Sequence, residues 1–254
     1  MKKLTVFLFI ALCAFAAEGP QPPLIGIARG TTGSIARVLG LPGALTVEPV
    51  PDLAGVDAVA FGGRLFIVKR GNMLQVVDAT GVVTSETEAP TGAALLAGFS
   101  ADGNELAVFD GARSVVRTFI AGSWNDIPYN GPANVLAISI TAPGELTVAA
   151  ASEDETKLLT IRRSDGGIRN EAKVGPGAAS AALFPSGDLL LIRSYRVAHR
   201  TPSGEERELE SPADAVNLTP LGPSWATAET ATGTRYAIRI KPNLRIMELP
   251  EVEQ

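Results

Sequence analysis

Cysteine and histidine are almost missing from this chain of 254 residues, which has one of each. A single cysteine excludes a disulfide scaffold, which needs thiols in pairs. A single histidine excludes metal chemistry built on histidine clusters. Aromatic residues are scarce at 6%, and there is no basic excess, since 22 Lys and Arg face 27 Asp and Glu. That balance argues against nucleic acid or an anionic membrane surface as the main partner. Long apolar runs are lacking too, apart from residues 4–15, and a run of about a dozen is shorter than the roughly 20 residues a membrane-spanning helix needs.

The N-terminus reads as a secretory signal peptide over residues 1–16. Met1, Lys2 and Lys3 form a cationic start, the apolar run follows, and Ala14 and Ala16 put small residues at the −3 and −1 positions of a cleavage site. Cys13 is a poor lipid acceptor because the large Leu12 precedes it. Cleavage after Ala16 leaves a mature chain with no cysteine, as suits an oxidising compartment, and with 20 basic against 27 acidic residues. A periplasmic or extracellular protein is expected, with no membrane segment in the mature chain.

Beyond a Pro-rich segment at 17–23, residues 24–254 have one texture. The chain has 26 Gly and 18 Pro, and these punctuate apolar runs of five to seven residues, many of them alternating. No window keeps helical spacing for three turns, so the pattern predicts an all-β domain. The runs also recur. Val56-Asp-Ala-Val-Ala-Phe61, a Gly-Gly turn and Arg64-Leu-Phe-Ile-Val-Lys69 have counterparts beginning at Ala93, Asn134, Ala178 and Ala215, 37 to 44 residues apart. Two more strand-like runs follow each pair, such as residues 73–79 and 82–86. Four strands in roughly 40 residues, repeated, are the mark of a β-propeller blade. Leu24 to Gly30 aligns with Leu65 to Gly71, so residues 24–51 read as a blade without its innermost strand. The expected fold is a single β-propeller of about six four-stranded blades, with five or seven blades or a β-sandwich as alternatives.

Two phrases carry a resemblance. Phe99-Ser-Ala-Asp-Gly-Asn-Glu-Leu-Ala-Val108 and Phe184-Pro-Ser-Gly-Asp-Leu-Leu-Leu-Ile192 resemble the strand, tight turn and returning strand of the YVTN and TolB-type members of the WD40-like propeller superfamily. The Trp-Asp and Gly-His pairs of true WD40 repeats and the Tyr-Val-Thr-Asn phrase are not present. The resemblance implies the fold. Relatives of this broad kind include protein-binding modules, sugar lactonases and dehydrogenase subunits, so function has to be read from sites.

In a propeller, chemistry is expected in the central channel or on the face where the innermost strands begin, here termed the entrance face. Asp57, Asn134, Asp214 and Asn217 lie near strand entrances, but their positions do not match from blade to blade. They read as caps and turn partners more readily than as ligands of a divalent metal. His199 sits beside Arg200 in an outer strand and no Gly-x-Ser-x-Gly elbow occurs, which disfavours nucleophilic catalysis. Gly30-Thr-Thr-Gly33 reads as a hairpin turn. No catalytic residue, metal or cofactor is expected.

The turns joining second and third strands share the entrance face, and four of six carry cations: Arg29, Lys69 with Arg70, Arg113, and Arg196 beside Tyr195. The fourth blade breaks the series with Glu153, Asp154 and Glu155. These cations, with the aromatics Trp124 and Tyr129, are the candidate binding residues, either as a patch for an acidic partner and aromatic anchors, or as solvated hairpin tips and outer-strand packing. The leading expectation is a monomeric, non-catalytic, exported propeller binding a protein or cell-surface partner. The alternative is a metal-dependent hydrolase or lactonase-like propeller near Asp57 and Asp214.

Overall fold

The computed structural model describes residues 23–29, 35–41, 44–49, 55–92, 95–152 and 154–250. The expected signal peptide and the turn at 30–33 lie outside the described residues. Within them the chain forms 23 strands, no helix and six antiparallel sheets, each a simple up-and-down meander.

Blade 1 holds β1 (Leu24–Arg29), β2 (Ile35–Leu41) and β3 (Ala44–Pro49). Blade 2 holds β4 (Ala58–Phe61), β5 (Leu65–Arg70), β6 (Met73–Asp78) and β7 (Val83–Glu88). Blade 3 holds β8 (Ala97–Phe99), β9 (Leu106–Asp110), β10 (Val115–Ile120) and β11 (Ser123–Pro128). Blade 4 holds β12 (Asn134–Ala142), β13 (Glu145–Ala151), β14 (Thr156–Arg162) and β15 (Ile168–Gly175). Blade 5 holds β16 (Ser180–Leu183), β17 (Leu189–Arg193), β18 (Arg196–Arg200) and β19 (Glu206–Glu208). Blade 6 holds β20 (Ala215–Gly222), β21 (Trp225–Thr230), β22 (Arg235–Arg239) and β23 (Arg245–Glu248).

The turn between the first two strands of a blade shows why these sequences fold back where they do. After β8, Gly103 takes φ 70° and its N–H donates to Ser100 O at 3.0 Å. Ser100 Oγ donates to Asp102 Oδ1 at 2.6 Å. That bond and those from Asn104 hold the Asp102 carboxyl down at about 2. Gly187 repeats the geometry after β16, with φ 82° and an N–H bond to Phe184 O at 2.9 Å. A side chain at φ > 0 is disfavoured, so glycine is the natural residue at both places.

Packing closes the ring. The buried apolar residues fall into six clusters, and each joins one pair of neighbouring blades: 3 with 4, 5 with 6, 2 with 3, 4 with 5, 1 with 2, and 6 with 1. Because each sheet is covered on both faces, its strands are apolar on both. In β13, Leu146, Val148 and Ala150 face blade 3 while Ala149 faces blade 5. The core is therefore six slabs between sheets, and the chain needs few aromatics to fill them.

Blade 1 departs from the four-strand rule as its sequence predicts. Among the described residues it has three strands, and β1 packs against β20 and β4, the innermost strands of its two neighbours, which also approach each other. The seam with blade 6 is tight: a Cβ on Gly26 would lie 1.7 Å from Leu221 O, and one on Gly222 would lie 2.4 Å from Ile25 O. The innermost strand of blade 3 is shorter than expected. β8 begins at Ala97 rather than at Ala93.

Candidate functional site

The central channel is a cavity of about 440 Å³ lined by residues from every blade. Ile27, Val59, Leu95, Leu96, Leu136 and Ile138 make its wall largely apolar. The blade 6 side is different: there Asn217, Thr219, Thr227, Glu229 and Arg235 line the cavity. Thr227 and Glu229 belong to a second strand and Arg235 to a third, positions that a complete neighbouring blade would cover. They reach the channel beside blade 1, which shows no innermost strand among the described residues. Glu229 and Arg235 stand directly opposite each other in the β21–β22 register. Sequence reading points to Asn217 alone among these residues, because the others depend on which strands of blade 6 face blade 1.

The entrance face carries the channel mouth, the turns between second and third strands and the connections between blades. The candidate residues fare differently there. Arg29 ends β1, and its side chain lies outside the described residues. Lys69 is a correction: it is only 3% exposed, and Nζ donates to Pro90 O at 2.8 Å and also to Gly92 O. Its charge therefore ties down the blade 2 to blade 3 connection and presents nothing to solvent. Arg70 and Arg113 are exposed, and Arg113 pairs with Asp126 of its own blade at 3.5 Å. Arg196 is exposed and lies 4.0 Å from Glu208. In blade 4, Glu155 is bridged by Lys157 at 3.0 Å and Lys173 at 2.7 Å.

The aromatic pair is also revised. β11 runs from Ser123 to Pro128, so Trp124 and Tyr129 lie at opposite ends of it, and Trp124 is on the far face. Trp124 packs on Phe119, lies under Arg117 and donates Nε1–H to Ser85 Oγ of blade 2 at 3.1 Å. Tyr129 is 5% exposed, sets its edge against Phe109 and donates to Pro132 O at 2.9 Å. Burial pushes its hydroxyl up to about 12. Both rings pack between strands, so neither stands ready as an anchor.

Tyr195 behaves as the opposite case. It is 63% exposed at the β17–β18 turn, where Ser194 and Tyr195 take φ 48° and 64°. Two positive φ values define the tight hairpin turn that favours Asn-Gly, and a non-glycine residue there costs about 1 kcal/mol or more. The turn is secured by Ala215 N–H, which donates to Tyr195 O at 3.0 Å. Ala215 begins β20, so this turn is tied to the strand that bears exposed Val216 and Asn217 near the channel mouth.

The remaining candidates have structural duties. Asp57 Oδ2 accepts the Gly71 N–H at 2.6 Å, which caps the β5–β6 turn. Asn217 accepts from Ser180 Oγ at 3.4 Å. Asn134 and Asp214 flank different blades. Among the described residues, no three His, Cys, Asp or Glu side chains converge. On the far face, His199 Nε2 meets Asp188 Oδ1 at 2.9 Å, Ser186 Oγ donates to Asp188 Oδ2 at 2.7 Å, and Lys241 pairs with Asp188 at 2.8 Å. The carboxylate sits between serine and imidazole, so this is a buried clasp between blades 5 and 6 with no base positioned to activate the hydroxyl.

Compared by sequence, the chain matches no family model and no curated protein. Many solved structures match by fold. A chain of a nidogen/laminin complex superposes with TM-score 0.60 and 13% identity, over 89% of this chain and 92% of that one. A catalytically inactive virginiamycin B lyase from Staphylococcus aureus, solved with quinupristin, gives 0.52 and 15% over 94% and 87%. Hydrazine synthase from Kuenenia stuttgartiensis gives 0.50 and 16% over 83% and 69%. At such identities the likeness concerns the fold. With the closed ring of six sheets, it gives this chain a six-bladed β-propeller fold.

Proposed function

We propose that this chain is an exported, monomeric, non-catalytic propeller that binds a protein or cell-surface partner through its entrance face. The observation that carries the reading is Tyr195, a large aromatic held out at an unfavourable turn beside Arg196 and the channel mouth. Exposed tyrosine and arginine are the residue types that dominate binding energy at interfaces. The sequence of residues 1–16 supports export, and no helix of the described residues is long and apolar enough to cross a membrane. The nidogen/laminin complex among the fold relatives is in keeping with a propeller as a binding module. Its lyase counterpart is a reminder that the fold alone does not choose.

The test uses the immobilised mature protein and the envelope and secreted fractions of its native host. Tyr195→Ala with Arg196→Glu is expected to remove the specific partner recovered by the wild type, while the melting temperature stays within about 3 °C. Recovery of the same partner by the variant, with Tm unchanged, overturns the assignment of this face.

A further inference from the structure

A second cavity lies on the far face, at the seam between blades 6 and 1, and encloses about 360 Å³. Its volume falls within the range of small-molecule sites. Leu24, Ile25 and Met247 give it an apolar floor, Gly40 adds no side chain, and Trp225, Arg239, Lys241 and Arg245 complete the lining. No carboxylate is among the lining residues, although acidic residues outnumber basic ones in the chain.

Strand register sharpens this imbalance. Trp225 stands opposite Arg239, and Arg239 stands opposite Arg245, so indole and two guanidinium groups form one row across β21, β22 and β23. Like charges directly opposite each other destabilise a sheet. The same row in blade 5 is Leu189, Arg200 and Glu206, where Arg200 lies 3.8 Å from Glu206. Blade 6 thus has an arginine where blade 5 has the counter-charge Glu206. Arg239 donates Nε–H to Asn243 O at 3.2 Å and lies 5.7 Å over the Trp225 ring, which fixes its orientation. Lys241 is engaged with Asp188. Among the described residues, Arg245 has no carboxylate within ion-pair distance.

We infer that this seam is a binding site for a small amphiphilic carboxylate. The carboxylate bridges Arg239 and Arg245 in the place that Glu206 takes in blade 5, and its acyl or aryl body lies on Leu24, Ile25 and Met247. Paired guanidinium groups suit carboxylate oxygens, and the apolar floor gives the body its share of the affinity. The site is separate from the entrance face, and its test is independent of the partner proposed there.

Isothermal titration of the mature protein with octanoate, benzoate, n-octanol and inorganic phosphate tests it. Saturable binding of octanoate or benzoate is expected, with n-octanol and phosphate each at least about tenfold weaker. Arg245→Glu supplies the missing counter-charge from within, so it is expected to weaken carboxylate binding at least tenfold while leaving Tm unchanged or raised. Absence of saturable carboxylate binding overturns the inference, as does equal binding of n-octanol or phosphate. Undiminished carboxylate binding by folded Arg245→Glu overturns the assignment to this seam.

Discussion

Asp188 shows how much one side chain can hold in a sheet protein. It is 3% exposed, and burial alone raises a carboxyl's pKa. Hydrogen bonds from Lys241, Ser186 and His199 outweigh that penalty and hold it below the ordinary value of 3.8. A carboxyl whose pKa falls on folding adds stability above its unfolded value, and that stability is lost as pH drops through the folded one. Asp188→Asn is therefore expected to cost about 1–3 kcal/mol at neutral pH and to flatten the fall of Tm on acidification below 3.8, both read by thermal melts across pH. An unchanged acid limb in the variant assigns that limb to other carboxylates. The pairing was hidden in the sequence, where His199 looks like an ordinary strand residue, because Asp188 and His199 belong to blade 5 and Lys241 to blade 6.

At the scale of elements, the connections between blades are held by polar side chains buried at strand ends. Lys69 at the end of β5 clasps Pro90 O and Gly92 O. Thr156 Oγ1 at the start of β14 donates to Pro176 O at 3.2 Å and accepts Ala178 N–H at 2.8 Å. Arg193 of β17 reaches the same Pro176 O and also Val174 O. A loop without regular structure leaves backbone carbonyls unpaired, and burying them without donors is costly. Lys69→Met keeps the stem and removes the donor, so it is expected to lower stability by about 1.5–3 kcal/mol in denaturant titration and to speed amide exchange at residues 89–92. An exposed patch residue would show neither effect, which separates the clasp from the charge-patch reading of Lys69.

Across the whole molecule, the seam between blades 6 and 1 stands apart from the other five. Among the described residues, blade 1 contributes few core side chains, with Ile27 and Ile35 facing blade 2 and Val38 facing blade 6, and β1 joins blade 6 by close backbone approach. Gly26→Ala places a methyl on Leu221 O. It is expected to cost more than about 2 kcal/mol and to loosen blades 1 and 6 before the others, as amide exchange resolved by blade will report. Uniform loss of protection around the ring counts against this order of opening. The same seam gives the channel its polar side and the far face its cation-rich cavity, so the incomplete blade shapes both candidate sites.

Residue order alone was enough to specify the repeat, the all-β class, about six blades and the short first blade. Each of these follows from local alternation and turn chemistry, which act within a few residues of chain. Candidate sites were legible only in part. Tyr195 and Arg196 stood out and remain exposed, whereas Lys69, Trp124 and Tyr129 looked alike in sequence and prove to be buried or turned to another blade. Burial, face and pairing depend on which strand of which blade lies across the gap. The row of Trp225, Arg239 and Arg245 and the polar wall of the channel exist only once six sheets have closed around an axis, because contacts between distant segments are set by packing and leave no mark on neighbours in sequence.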